Sequence, residues 1–154
     1  YMFHVEHMEE IIMSDVDKLE IAIFQAKKAL EIDEIPVGCA IYRGDELIAC
    51  GYNRKESENN AIMHAEIVAI NEACGKLKSW RLEGCSLYVT LEPCMMCMGA
   101  IIESRIKEVY YGAAFNGVQM YDKNCIKSAI SIKNIQNDEC SKMLSSFFEK
   151  KRKK

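Results

Sequence analysis

The chain has no apolar run approaching the length that crosses a bilayer. A spanning helix needs about 20 predominantly apolar residues, so no membrane segment is expected. The opening residues, YMFHVEHMEE, lack a basic flank followed by an apolar stretch, and so give no sign of a signal peptide. Linkers, internal repeats and low-complexity blocks are also missing. Residues 14–149 therefore read as one domain, set between a disordered N-terminal tail (1–13) and a basic C-terminal tail (150–154). Histidine is scarce. Only His4, His7 and His64 are present, and the first two fall in the expected tail, which directs any histidine chemistry to His64. A second Cys-x-x-Cys pair is lacking too, which argues against a zinc ribbon built from two such pairs.

Cysteine, by contrast, is abundant. Eight cysteines without a secretion signal read as reduced thiols of a cytoplasmic protein, not as a disulfide framework. A chain of 154 residues, 49% hydrophobic and 28% charged, is an ordinary globular protein able to bury a real core. Its net charge of −3 hides an asymmetry, because the chain ends in KKRKK. Such a run is more often a solvated, frayed end than a polyanion contact, and taken alone it leaves both readings open.

Periodicity supplies the layout. SDVDKLEIAIFQAKKALEI sets Val16, Leu19, Ile23, Ala26 and Leu30 on one helical stripe, with Ser14 as N-cap. PVGCAIYR and LIACGYN read as strands joined by a hairpin at Arg43, Gly44, Asp45 and Glu46. A helix is expected from His64 to Cys74, stopped by Gly75. CSLYVTL then reads as a strand, a helix starts near Cys94, EVYYGA follows as a strand, and AISIKNI alternates weakly as a last one. From Asp138 onward, Cys140, Met143, Leu144, Phe147 and Phe148 form a final amphipathic stripe. Helices alternating with strands predict a layered α/β domain.

The stretch LEPCMMCMGA places Cys94 and Cys97 three residues apart behind Pro93. Alone, the pair fits half a zinc ribbon, a redox dithiol or two buried small residues. A thioredoxin-like dithiol would follow the first strand, whereas this pair lies past mid-chain. The i, i+3 spacing puts both thiols on one face at a helix N-terminus, where the dipole favours thiolates. Pro93 stands where a missing N–H costs least. MHAEIVAI adds His64 at the start of another helix, with Glu66 two residues on. Three protein ligands leave a tetrahedral zinc one open position, whereas a structural site is normally closed by four. Glu66 can take a proton from water at that position. Each motif is weak alone, since a helix-starting histidine is more often core than ligand. Both together, each opening a helix with a strand between, specify a catalytic zinc site.

His-x-Glu followed by Pro-Cys-x-x-Cys is the signature of the zinc nucleobase deaminases. The chain resembles the zinc-dependent cytidine/deoxycytidylate deaminase-like superfamily and, within it, the bacterial tRNA wobble-adenosine deaminases. The resemblance lies in EIPVGCAIY, GYNR, HAEIVAI, SWRLEGCSLYVTLEPCMMCMGAIIESRI and DECSKMLSSFF, which cover most of residues 34–112 and the last helix. It implies a three-layer α/β/α cytidine deaminase-like fold with a five-stranded mixed sheet. It implies one Zn2+ per chain on His64, Cys94 and Cys97, with Glu66 as catalytic proton shuttle. Substrate contacts are implied for Asn53, Glu34, Pro36, Val37 and Ala65. A homodimer is implied, each site completed by the partner chain, acting on the wobble adenosine of a tRNA anticodon stem-loop to give inosine. Read from the residues alone, Asn53 is a strand-end turn residue and Trp80 a packing residue. Cys39, Cys50, Cys74, Cys85, Cys125 and Cys140 read as small core or surface residues.

The chain departs from the family pattern over residues 114–129. AFNGVQMYDKNCIKSA has neither the usual Gly-Ala-x-Gly-Ser segment nor the Asn-His pair before the fifth strand, and AIM replaces Pro-Thr-Ala before His64. The zinc chemistry is untouched by these changes. They keep open an alternative, a deaminase of a free nucleobase or nucleoside of guanine or cytosine type, while the basic SSFFEKKRKK ending favours RNA. The segment is barely long enough for the crossover that a parallel last strand pair requires. A structural zinc protein or a non-catalytic nucleic-acid-binding module is disfavoured by Glu66 and by the open coordination position.

Overall fold

The computed structural model describes residues 12–117 and 121–153. His4, His7 and residues 1–11 of the expected tail lie outside the described residues, whereas Met13 packs against the core. The elements are α1 (Asp15–Glu31), β1 (Gly38–Arg43), β2 (Glu46–Tyr52), α2 (Ala65–Leu77) and β3 (Cys85–Leu91), then α3 (Met95–Glu103), β4 (Glu108–Ala113), α4 (Lys123–Lys127), β5 (Ser131–Asn134) and α5 (Asp138–Arg152). The strands form one five-stranded sheet in the order β2-β1-β3-β4-β5. β1 runs antiparallel to β2 and β3, and the β3–β4 and β4–β5 pairs are parallel. This is the expected mixed sheet, with α1 and α5 on one face and α2 and α3 on the other.

Two glycines set how closely the first two helices approach. A Cβ at Gly38 would stand 1.9 Å from the Ala22 carbonyl oxygen, so α1 lies against β1 almost backbone to backbone. On the other face, a Cβ at Gly51 would stand 2.9 Å from the Ala69 nitrogen of α2. The same closeness corrects the stripe read for α1. Leu19, Ala22, Ile23, Ala26 and Ala29 are buried while Val16 and Leu30 are exposed, because the contact line follows the alanines that let the helix approach Gly38. Ser14 caps α1 as expected, in a capping box with Asp17. Tyr42, Tyr88 and Tyr110 line the sheet on this side, and the Tyr88 hydroxyl donates to Asp15 at 2.6 Å.

Other expectations needed correction. Gly75 does not stop α2, which continues to Leu77 and ends at Lys78 in the left-handed conformation, φ 52°. Trp80 is not a packing residue of the core: it is exposed, with the Arg81 and Arg105 guanidinium groups over its ring at 4.6 and 5.4 Å. α4 was not foreseen, since none of its residues is buried and no apolar stripe announces it. It bridges β4 and β5, so the parallel pair is reached within residues 114–130. Residues 150–152, expected as part of a tail, are helical. α5 continues through Lys150, Lys151 and Arg152, cations that complement the negative end of the helix dipole, and Lys151 pairs with Asp33 at 2.6 Å. No helix among the described residues is long and apolar enough to cross a membrane.

Candidate metal centre

Two helix N-termini meet at the centre. His64 is the N-cap of α2 and Cys94 the N-cap of α3, both extended (ψ 158° and 173°), and neither side chain makes the usual capping hydrogen bond. A serine or aspartate there would turn its oxygen onto the backbone N–H groups; these two side chains remain available to a ligand. Cys97, in the first turn of α3, is fully buried. His64 Nδ1 lies 3.6 Å from the Sγ atoms of both Cys94 and Cys97. All three donor atoms lie within 4.8 Å of one another.

This geometry fits a metal. A tetrahedral zinc with Zn–S of about 2.3 Å and Zn–N of about 2.0–2.1 Å has an N···S edge of about 3.6 Å. One imidazole and two thiolates are also donors that zinc accepts readily. The thiols already differ in proton affinity. A hydrogen bond from Cys97, with further help from His64, lowers the Cys94 pKa to about 4, while the Cys97 thiol is raised by its bond to Cys94 and by burial. Metal binding, which needs both sulfurs as thiolates, would release any thiol proton the pair still carries. His64 is raised, foremost by its hydrogen bond to Cys94.

Glu66, in the first turn of α2, is buried. Burial is the largest influence on it and lifts its pKa to about 7; the Cys94 charge adds to the rise, while His64 and a bond with Cys97 oppose it. A carboxyl group poised near neutrality, in contact with the donor cluster, can both accept and return a proton.

The remaining residues expected at the substrate gather on two adjoining loops. Asn53 follows β2 and is buried; its Nδ2 donates to the Ile35 carbonyl at 3.4 Å and its Oδ1 accepts from the Lys55 amide at 3.2 Å. Its turn-residue character and its link to the 33–37 loop are therefore both present. Glu34 is buried and accepts the Ser57 amide at 2.7 Å. Pro36 and Val37 are buried on the same loop as Glu34, the Val37 carbonyl accepts the Asn53 amide at 3.1 Å, and Ala65, the first residue of α2, is buried next to His64 in sequence. The Arg54 amide donates to Met63, tying the Asn53 turn to the residue before the histidine. The six other cysteines are free: Cys39, Cys85 and Cys140 buried, Cys50 and Cys74 partly so, Cys125 exposed.

Sequence reasoning missed Glu92, Tyr121 and Lys123. The Glu92 carboxylate is buried and pairs with Lys123 at 3.0 Å, and the Tyr121 hydroxyl donates to the Pro93 carbonyl at 2.9 Å. Glu92 sits inside the LEPC string, but its partners lie in the departing segment, where no motif marked them.

Residues 13–113 match the family model of the cytidine and deoxycytidylate deaminase zinc-binding region. The chain is 43% identical over 141 residues to the tRNA-specific adenosine deaminase of Bacillus subtilis (strain 168), spanning 86% of this chain and 88% of that protein. It is 39% identical to the tRNA-specific adenosine deaminase of Streptococcus pyogenes serotype M1, spanning 86% and 82%. A solved structure from a study of A-to-I editing by tRNA:A34 deaminases at the wobble position of transfer RNA superposes with TM-score 0.76 at 35% identity, covering 84% of this chain and 99% of its own. The guanine deaminase of Bacillus subtilis superposes with TM-score 0.63 at 36% identity, covering 66% of each chain.

Proposed function

We propose that this chain, which belongs to the cytidine and deoxycytidylate deaminase zinc-binding family, hydrolyses the amino group from adenosine at the wobble position of a tRNA. The products are inosine in the RNA and ammonia. One observation carries the reaction class: a His/Cys/Cys donor cluster of tetrahedral spacing with a buried carboxyl of raised pKa against it. The substrate rests on the 43% identity to a tRNA-specific adenosine deaminase along nearly the whole of both chains.

His64, Cys94 and Cys97 would hold one Zn2+ per chain. When bound, zinc acts as a Lewis acid that brings the pKa of a water from 15.7 towards about 7. Glu66 takes the proton of that water, delivers it to N1 of the adenine ring, and then serves the departing amine. The C6–O bond forms as N1 takes the first proton; Glu66 then carries the remaining proton of the new C6 hydroxyl to the amino group, and the C6–N bond breaks as ammonia leaves and the C6 carbonyl forms. Asn53 orients the nucleoside, and residues 34–37 with Ala65 line the base. We read the enzyme as a cytoplasmic homodimer in which the partner completes each site. Ile62 and Met95, both exposed and each one or two residues from a metal ligand, offer apolar surface that a second copy would cover.

The zinc-loaded enzyme should convert a single adenosine in an anticodon stem-loop and act far more slowly on free adenosine. A lone base offers few contacts, so flanking nucleotides must supply the energy that orients C6 at the centre. Product analysis of stem-loop RNA beside free adenosine, guanine and cytosine decides the matter. Ammonia release from a free base or nucleoside, with the stem-loop unmodified, would replace this reading by the guanine- or cytosine-type alternative.

The cationic end should bear on RNA. A groove of about 930 Å³ between α1 and α5 is lined by Lys27, Lys142, Lys150, Lys151 and Lys153, with Glu139 and Asp33 paired to Lys27 and Lys151. Removing residues 151–154 deletes as many as four phosphate contacts, so the salt dependence of RNA affinity should become shallower by about 0.7–0.9 per lost contact. An unchanged slope in binding titrations would return the run to its reading as a solvated end.

A further inference from the structure

The turn from β3 into α3 passes through Glu92 and Pro93 and delivers Cys94 to the centre. Its hydrogen bonds come from the far side, from β4 and the segment after it. The Glu92 amide donates to the Ala113 carbonyl at 2.8 Å. One Glu92 carboxylate oxygen accepts the Phe115 amide at 3.1 Å, and the other meets the Lys123 ammonium at 3.0 Å. The Tyr121 hydroxyl donates to the Pro93 carbonyl at 2.9 Å. That carbonyl belongs to the planar peptide unit whose other end is the Cys94 nitrogen, so holding it fixes the plane from which Cys94 projects.

The environment makes these contacts strong. The Glu92 side chain is only 4% exposed against 54% for Lys123, so losing the lysine would leave a buried carboxylate short of a partner, unlike the loss of a surface pair. Tyr121 is pushed up to about 12, first by burial and then by Glu92, Tyr111, Cys94 and Glu66. Its hydroxyl is un-ionised at neutral pH, as a tyrosine's ordinarily is, and serves as the donor to Pro93.

We propose that Phe115, Tyr121 and Lys123 form a strap that holds the Glu92–Pro93 turn in ligand geometry, with Tyr121 and Lys123 as positioning residues. The departing segment would then keep the metal site in place by contacts of its own. The proposal rests on the zinc reading given above. Two readouts on the purified holoenzyme test it: zinc transfer to a competing chelator, and the visible spectrum after Co2+ replaces zinc. Tyr121→Phe and Lys123→Met should each weaken zinc retention by about tenfold, the low end for groups that orient metal ligands, and should alter the Co2+ spectrum. Lys123→Arg, which keeps the cation, should restore both. Variants that melt earlier yet hold zinc as tightly as the parent, with an unchanged spectrum, would overturn the strap and leave these contacts as loop support. A parent protein that binds no zinc would defeat the metal reading itself, and the strap with it.

Discussion

Glu66→Gln should keep its zinc and lose turnover on the anticodon stem-loop by about 10²–10⁴-fold. The amide matches the carboxylate in shape but cannot accept a proton, so the substitution separates metal binding from proton transfer. Stability supplies the control. Glu66 rises from an ordinary 4.5 to about 7 in the folded chain, chiefly through burial. The folded state thus binds more protons than the unfolded one between those values. Its contribution to stability is fullest below 4.5 and is lost as pH rises through 7. A neutral glutamine escapes that loss, so with both proteins stripped of zinc the variant should melt no earlier than the parent at neutral pH. Low turnover with full zinc and an undiminished melting temperature identifies the shuttle. Near-normal turnover would assign proton transfer to another residue.

How far the sequence foretold the molecule depended on how local each signal was. The Ser14 N-cap, the hairpin around Gly44 and the strand Cys85–Leu91 are written in neighbouring residues, and the structure has them where the patterns put them. Elements whose limits depend on distant packing were less legible. α4 buries none of its residues. Gly75 costs α2 about 1 kcal/mol relative to alanine, too little to end a helix whose other face is buried, and α2 runs on to Leu77. The α1 stripe was misplaced because alanines opposite Gly38, not the larger Val16 and Leu30, make the contact. The metal cluster was legible for a different reason. One histidine outside the expected tail and one Cys-x-x-Cys pair left a single combination of ligands, and the structure brings those three side chains together. The Tyr121 and Lys123 contacts could not be foreseen, because they exist only once the crossover from β4 to β5 has laid the departing segment over the Glu92–Pro93 turn.

The centre itself is most directly probed at its buried sulfur. Cys97→Ala should reduce bound zinc to well below one per chain after dialysis, because His64 and Cys94 alone leave two protein donors where three converge. The fold need not collapse with it. The substitution also removes the hydrogen bond that most strongly lowers the Cys94 pKa, so the remaining thiol should be harder to ionise and a poorer ligand. Loss of metal therefore follows from two effects of one change, the missing donor and the weakened neighbour. Cys140→Ala is the matching control. Cys140 is also buried, but it packs against Gly112 on the opposite face of the sheet. Its replacement should lower stability through a small cavity and leave zinc content intact. Metal analysis of the two variants side by side separates a ligand from a core cysteine. Full zinc in Cys97→Ala would sink the assignment of the centre.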